Sequence, residues 1–193
     1  RSLATLSSQR NKTGIEAIRH MTLLHLLSPL SPESLDRCLE LLEANSHSQQ
    51  IDFLRICALK HASAKNEKER SQIIFYCSEL FDLNDNTEVV IFNRWLARLG
   101  AFNAVLEFLP ASKAKVDEEL FKLRMNALAQ MNNLERIHEE INNAPIIPSR
   151  WRLVVEARAH SMNGNFKDAS KSLDRLLPIL GDDPRLVRSV CHY

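Results

Sequence analysis

The sequence contains little glycine and little proline, with four glycines and seven prolines in 193 residues. Glycine supplies the positive-φ positions that tight hairpins and phosphate-binding loops require. Average proteins contain roughly 7% glycine, so this scarcity disfavours β-barrels, β-sandwiches and Gly-rich nucleotide loops. No Walker loop, GxGxxG motif or GxSxG motif occurs. The sequence therefore gives no indication of a nucleotide cofactor or of a serine nucleophile.

The sequence also lacks a long hydrophobic run and an excess of charge of one sign. Its longest apolar stretch, residues 21–30, is interrupted by His25 and Pro29 and is shorter than the roughly 18 residues that a membrane-spanning helix needs. Lysine and arginine number 25 against 24 acidic residues, a formal net charge of +1. We therefore expect no nucleic acid and no membrane as partner.

The four cysteines form no CxxC pair. Cys38, Cys57, Cys77 and Cys191 are spaced by 19, 20 and 114 residues, which fits neither a zinc site nor a small disulfide framework. Each lies among apolar neighbours, and this predicts buried free thiols in a reducing, cytoplasmic compartment. We expect no metal and no cofactor.

Leucine is abundant, with 29 copies, and hydrophobic residues make up 45% of the chain. A leucine-rich, glycine-poor chain is expected to be all-α. Capping residues and apolar positions at helical spacing predict helices that begin near Ser31, Ser48, Asn66, Thr87, Phe102, Ser112, Leu134, Ser149 and Phe166. The runs 89–92 and 145–148 also permit a strand, but each is too isolated to form a sheet.

The apolar stripes of these helices predict the core. Its expected members are Leu35, Leu39, Leu42, Ile51, Leu54, Cys57, Ala58, Ile73, Ile74, Cys77, Leu80, Val89, Phe92, Leu96, Leu99, Val116, Leu120, Leu123, Ala127, Leu134, Ile137, Ile141, Trp151, Leu153, Ala157, Phe166, Ala169, Leu173 and Leu176.

The sequence repeats itself weakly at a fixed period. Gly100, Asn132 and Gly164 are spaced by 32 residues, and hydrophobic residues recur two, five and nine positions after each. All three occupy the place where a left-handed turn between two helices is expected. A helix pair that cannot bury its apolar stripe alone forms a core by stacking on its neighbours. The pattern favours an open solenoid of about five antiparallel helix pairs over a closed bundle.

The domain prediction follows from this period. We expect residues 1–12 to be an N-terminal tail and residues 13–193 to be one helical-repeat domain, with the best repeats at 87–110, 113–143 and 149–180. The chain begins with Arg1 and ends at Tyr193 in what looks like a newly started helix. We therefore expect a fragment of a longer protein.

A family resemblance adds to this prediction. Residues 151–177 resemble a tetratricopeptide repeat, and residues 89–109 and 121–141 look like poorer copies. The resemblance depends on Ala157, Gly164, Phe166, Ala169, Leu173 and Leu177. It implies a right-handed superhelical α-solenoid in which the first helix of each pair lines a concave groove. It also implies an interaction module that binds a peptide or protein segment, without catalysis.

Several residues face away from the core stripe of the predicted groove helices. Arg94, Asn126 and Arg158 form a column at 32-residue spacing. Nearby positions on the same faces are Arg98, Gln130 and Met162, and Lys122 lies one turn earlier. Such a groove would bind an acidic or carboxylate-bearing segment, because guanidinium groups favour bidentate pairing with carboxylates. The alternative is a set of ordinary solvated residues.

Two further residues complete the predicted groove. Lys122 with Asn126 is similar to part of the arrangement by which some tetratricopeptide repeats hold a peptide's terminal carboxylate. Trp151 is expected to be either a core residue between repeats or an aromatic anchor in the groove.

The sequence offers few candidates for catalysis. His138 and Glu139 start like a helical HExxH zinc motif, but Asn142 stands where the second histidine should be. His160 falls in an apolar column of the repeat and is expected to pack in the core. Three alternatives to an interaction module stay open: a structural spacer or oligomerisation domain, a helical-repeat RNA binder, and a helical enzyme. The enzyme would need a deep pocket that contains two or more histidines or carboxylates.

Overall fold

The computed structural model describes residues 16, 18 and 19, residues 30–143 and residues 148–180. Predictions for the tail 1–12, for most of the apolar stretch 21–30, for residues 145–147 and for Cys191 lie outside these ranges. Within them the regular structure is entirely helical. The helices are α1 Pro32–Glu43, α2 Gln50–Ser63, α3 Glu67–Ser78, α4 Asn86–Arg98, α5 Phe102–Phe108, α6 Ala111–Ala114, α7 Glu118–Gln130, α8 Leu134–Asn142, α9 Ser149–Met162 and α10 Phe166–Leu176, followed by the 3₁₀ turn Leu177–Ile179.

The chain divides into two compact units, Arg1–Asp82 (unit 1) and Leu83–Tyr193 (unit 2). All three of the best predicted repeats fall in unit 2. None of the described helices is long and apolar enough to cross a membrane. The predicted all-α class is confirmed for the described residues, where the strand alternative at 89–92 is wrong because these residues belong to α4.

In unit 1, α2 packs against both α1 and α3. The start of α1 is as predicted: Ser31 accepts a hydrogen bond from the Ser34 backbone N–H at 3.3 Å, and Pro32 occupies the first turn. Leu35, Leu39 and Leu42 are buried. Their burial confirms the predicted apolar stripe of α1.

The predicted inward face of α2 is partly wrong. Ile51 is 43% exposed, whereas Asp52 is buried. Asp52 accepts two hydrogen bonds from Arg19, at 2.8 Å each, and one from the Gln49 backbone N–H at 3.2 Å. These bonds, led by those from the Arg19 side chain, lower the pKa of Asp52. A carboxylate whose charge is compensated by such bonds can be buried. Ile51 lies on the exposed face of α2, one turn from Arg55.

Unit 2 contains three equivalent turns. Gly100, Asn132 and Gly164 have φ values of 73°, 59° and 74°, and they are the positive-φ positions of the described chain. At each, the residue after the turn donates its N–H to the carbonyl five positions back, as Ala101 does to Leu96 at 3.0 Å. The corresponding bonds from Asn133 and Asn165 measure 3.0 and 2.8 Å. This is the Schellman arrangement, and the predicted left-handed turns are confirmed.

The helices of unit 2 pack in a regular order. Helix α4 packs against α7, and α7 packs against α9. Helix α5 contacts both α4 and α7, α8 contacts both α7 and α9, and α10 contacts α9. In the core, Phe92 stacks on Trp95 and meets the ring edge of Phe108. Each short second helix therefore covers the seam between two longer first helices, except α10, after which no further helix is described.

Two apolar residues predicted to be buried in unit 2 are exposed. Val116 is 55% exposed, because the predicted long helix from Ser112 is in fact the short α6, a turn, and then α7 capped by Asp117. Phe166 is 70% exposed at the start of α10. Its counterparts Phe102 and Leu134 are partly buried because a following helix packs on α5 and α8.

The described cysteines agree with the prediction. Cys38, Cys57 and Cys77 are free thiols, and all three are fully buried.

Candidate functional site

A small cavity of about 140 Å³ lies between α7 and α9, and we name it the α7–α9 cavity. Helix α7 contributes Lys122 and Asn126, and α9 contributes Trp151 and Arg158. Positions 122 and 126 are one turn apart on α7, and residues four apart share a helix face. Four of the eight predicted groove residues therefore meet at one place.

The side chains of Lys122 and Trp151 are in direct contact. The Lys122 ammonium lies 3.3 Å from the centroid of the Trp151 ring and also donates a hydrogen bond to Glu118 Oε1 at 2.6 Å. Trp151 is only 7% exposed, so it packs in the core and also forms a wall of the cavity. The negative face of an indole ring attracts an ammonium group. Trp151 and Glu118 together fix the position of Lys122.

Asn126 has a buried acceptor that lacks a partner among the described residues. Its Oδ1 atom is buried, and no hydrogen-bond donor of the described chain reaches it. An acceptor that is buried without a partner costs roughly 1–3 kcal/mol. A bound molecule that displaces the side chains covering this oxygen could donate the missing hydrogen bond to it.

The other four predicted residues lie outside the cavity. Arg94 is exposed and forms an ion pair with Glu119 of α7. Arg98, Gln130 and Met162 are exposed. The column of Arg94, Asn126 and Arg158 is therefore a line of positions along three helices, of which only the last two border the cavity.

Unit 2 contains a buried arginine that connects three of its helices, and the sequence did not predict its burial. Arg124 of α7 is fully buried and makes a bidentate pair with Glu140 of α8, at 2.6 and 2.7 Å. It also donates to the backbone carbonyls of Leu106 and Leu109 at 3.2 and 2.6 Å. Its place between Leu123 and Met125 gave no sign of burial, because an arginine on a helix is ordinarily expected in solvent. Its partner is 16 residues away, on another helix, and nothing in the sequence identifies it.

A larger cavity of about 780 Å³ belongs to unit 1, where faces of α1 and α3 and the end of α2 form its walls; we name it the α1–α3 cavity. Four carboxylates border it: Asp36, Glu40, Glu43 and Glu69. Asp36 is paired with Lys60, and Glu40 is paired with Arg37. Glu69 accepts hydrogen bonds at the start of α3, from the Lys65 backbone N–H and from Asn66.

The fourth carboxylate of this cavity is bound to a phenol. Tyr76 of α3 donates a hydrogen bond to Glu43 Oε1 of α1 at 2.6 Å. Burial, and then the bond to the charged Glu43, raise the pKa of Tyr76. Because the other three carboxylates already have partners, this cavity does not present the two facing, unengaged carboxylates that acid–base catalysis uses.

The histidines of the described ranges do not assemble a site either. His160 is partly rather than fully buried, which corrects its expected place in the core, and its ring lies 5.3 Å from that of His138. Within the described ranges, no group of three or more metal-binding side chains is close enough to hold an ion.

Comparisons of the chain with protein-family models, with curated proteins and with solved structures give no match.

Proposed function

We propose that this protein is a non-catalytic interaction module that holds an acidic or carboxylate-bearing polypeptide segment at the α7–α9 cavity. The observation that carries the proposal is the buried, unsatisfied Oδ1 of Asn126 beside two cationic side chains, Lys122 and Arg158. Amide N–H groups of a peptide can donate to Asn126, while its carboxylates pair with the cations.

The architecture of unit 2 supports a tetratricopeptide-like stack as the frame of this module. Three Schellman turns recur every 32 residues, and each of the first two short helices covers the seam between neighbouring long helices. A right-handed solenoid of about five pairs, as the resemblance implies, is part of the proposal. In such a stack α4, α7 and α9 are the groove-lining helices.

The arrangement of Lys122 favours weak, charge-selective binding. Its ammonium is already positioned by Trp151 and Glu118, so little side-chain entropy is lost when a ligand carboxylate approaches. A ligand carboxylate must replace Glu118 as the partner of Lys122, and this exchange limits the affinity. Binding should therefore weaken as the salt concentration rises.

Tryptophan fluorescence provides a direct test. The chain contains two tryptophans, so Trp95→Phe leaves Trp151 in the cavity wall as the only reporter. We expect an acidic peptide with a free C-terminus, acetyl-Leu-Glu-Ala-Leu-Glu-Glu, to change the Trp151 emission in a saturable way. The peptide acetyl-Leu-Lys-Ala-Leu-Lys-Lys-amide should leave the emission unchanged.

The role of Lys122 is tested by calorimetry, since replacing it alters the surroundings of Trp151. Lys122→Gln should weaken binding of the acidic peptide about tenfold, the effect of losing a charge-assisted hydrogen bond. Arg98→Gln is the matched control, because it removes one positive charge from an exposed position outside the cavity. Equal affinities of the two variants, or no response of Trp151 to the acidic peptide, would overturn the proposed site.

A further inference from the structure

The α1–α3 cavity of unit 1 has an apolar floor and an acidic rim. Leu39, Cys57 and Ile73 line its floor, and the first two are buried. Its volume of about 780 Å³ lies within the range of roughly 300–1,000 Å³ that is typical of ligand sites. A ligand for it needs an apolar part and a part that complements the rim.

Four carboxylates and two lysines, Lys60 and Lys65, border the cavity, so negative charges exceed positive charges by two. Of the bordering carboxylates, Asp36 and Glu40 each have a cationic partner, and Glu69 is tied to backbone and amide groups at the start of α3. Glu43 accepts a hydrogen bond from the neutral Tyr76, and no cation of the described chain lies within ion-pair distance of it. A carboxylate beside an aromatic ring is the combination that recognises an ammonium or guanidinium group.

The shape of the cavity favours an extended polypeptide. Its α1 wall runs the full length of that helix, from Pro32 to Glu43, which is 12 residues. At 1.5 Å per residue this wall is about 18 Å long. An extended chain advances roughly 3.3–3.6 Å per residue, so about five residues fit along it.

From these observations we propose that the α1–α3 cavity binds a basic segment of a partner polypeptide, with alternate apolar residues on its floor and a lysine or arginine paired with Glu43. In an extended segment successive side chains point to opposite sides, so alternating leucine and lysine presents apolar groups to the floor and cations to the rim. The preferred ligand is thus opposite in charge to the one proposed for the α7–α9 cavity.

The test uses two labelled hexapeptides and the full chain. We expect acetyl-Leu-Lys-Leu-Lys-Leu-Lys-amide to bind in a fluorescence polarisation assay, with an affinity that falls as salt increases. The acidic counterpart acetyl-Leu-Glu-Leu-Glu-Leu-Glu-amide serves as the charge-reversed probe, and its binding, assigned to the α7–α9 cavity, should not change in Glu43→Gln. Glu43→Gln should weaken binding of the basic peptide about fivefold, as expected for an exposed ion pair.

The matched control is Glu79→Gln, which removes an exposed carboxylate of unit 1 that does not border the cavity. It should leave the affinity unchanged, and circular dichroism should show both variants folded, since Glu43 and Glu79 are exposed. Equal loss of affinity in the two variants would mean non-specific attraction and would overturn the proposal. Displacement of the peptide by an equal concentration of hexylamine would also overturn it, in favour of a small amine.

Discussion

The residues that border the α1–α3 cavity of unit 1 carry a net negative charge, whereas those that border the α7–α9 cavity of unit 2 carry a net positive charge. Four carboxylates surround the first cavity, with Lys60 and Lys65 beside them, whereas Lys122 and Arg158 border the second. The first is also more than five times as large, at about 780 against 140 Å³. A formal net charge of +1 conceals this contrast, because it averages over the chain. Overall charge therefore says little about which ligand a particular surface of this protein attracts.

The two units also differ in how a buried charge is compensated. In unit 1, Arg19 pairs with the buried Asp52 while remaining 38% exposed. In unit 2, Arg124 is itself fully buried, and it connects α7 to α8 and to two carbonyls at the end of α5. Removal of one member of a fully buried pair leaves the other as an uncompensated charge.

The largest effect is expected from Arg124→Met. This change removes the buried cationic partner of Glu140, whose side chain is only 11% exposed. It also leaves two backbone carbonyls without their donor. Arg136 still pairs with Glu140 at 3.1 Å, so we expect the lower end of the usual range, a loss of about 3 kcal/mol in the free energy of unfolding. Urea unfolding followed by tryptophan fluorescence measures it, since both tryptophans lie in unit 2.

Two further variants test whether this loss in the free energy of unfolding comes from the uncompensated charge of Glu140. Arg136→Met removes an arginine that is 48% exposed and should cost under about 1 kcal/mol. Arg124→Met combined with Glu140→Met should recover much of the loss, because an apolar pair can replace a buried ion pair. If Arg124→Met and Arg136→Met cost the same, the pair has no special role in unit 2.

The second-largest effect on stability is expected from changes at the left-handed turns. The two units differ more clearly in these turns than in charge. Positive φ values occur at Gly100, Asn132 and Gly164 in unit 2, and at no described residue of unit 1. Gly164→Ala forces an alanine into the left-handed region and should cost about 1 kcal/mol. A Cβ at position 164 would meet no atom within 4 Å, so the cost comes from the backbone alone.

The opposite change at the middle turn provides the control. Asn132→Gly should raise the free energy of unfolding slightly or leave it unchanged, because glycine adopts φ of 59° without steric cost. Chemical denaturation of the two variants measures the difference. A stabilising Gly164→Ala would contradict the assignment of these positions as equivalent left-handed turns.

How much the sequence predicted depends on how local each feature is. The turns were predictable because a left-handed residue between two helices demands glycine or asparagine whatever surrounds it. Lys122 and Asn126 were predictable as neighbours because they are one turn apart on a helix, and the 32-residue period brought Arg158 to the same face.

Features that depend on a distant element were missed. From the sequence, Arg124 would be expected in solvent. Only the packing of α5 and α8 around it shows that a backbone carbonyl and Glu140 compensate its charge inside the protein. Phe166 was expected to be buried, but burial at that column of the repeat requires a following helix, which packs on the helices of Phe102 and Leu134 but is not described after α10. The α1–α3 cavity arises from three helices in the region where the repeat is weakest, so no period pointed to Glu43 and Tyr76.

The smallest expected effect tests the ligand assignment in unit 2 with a change of opposite sign. Glu118 is the intramolecular partner of Lys122, with Oε1 and Nζ 2.6 Å apart, and it competes with any carboxylate that the cavity binds. If the α7–α9 cavity holds an acidic segment, Glu118→Gln should therefore strengthen binding of acetyl-Leu-Glu-Ala-Leu-Glu-Glu about two- to fivefold, the contribution of a partly exposed ion pair.

Glu119→Gln is the matched control, because its partner Arg94 lies outside the cavity and the same single charge is removed one residue away. A gain in affinity confined to Glu118→Gln, measured by calorimetry, would assign the ligand carboxylate to Lys122. An equal gain in both variants would reflect only the change in overall charge, and Lys122 would then have no part in recognition.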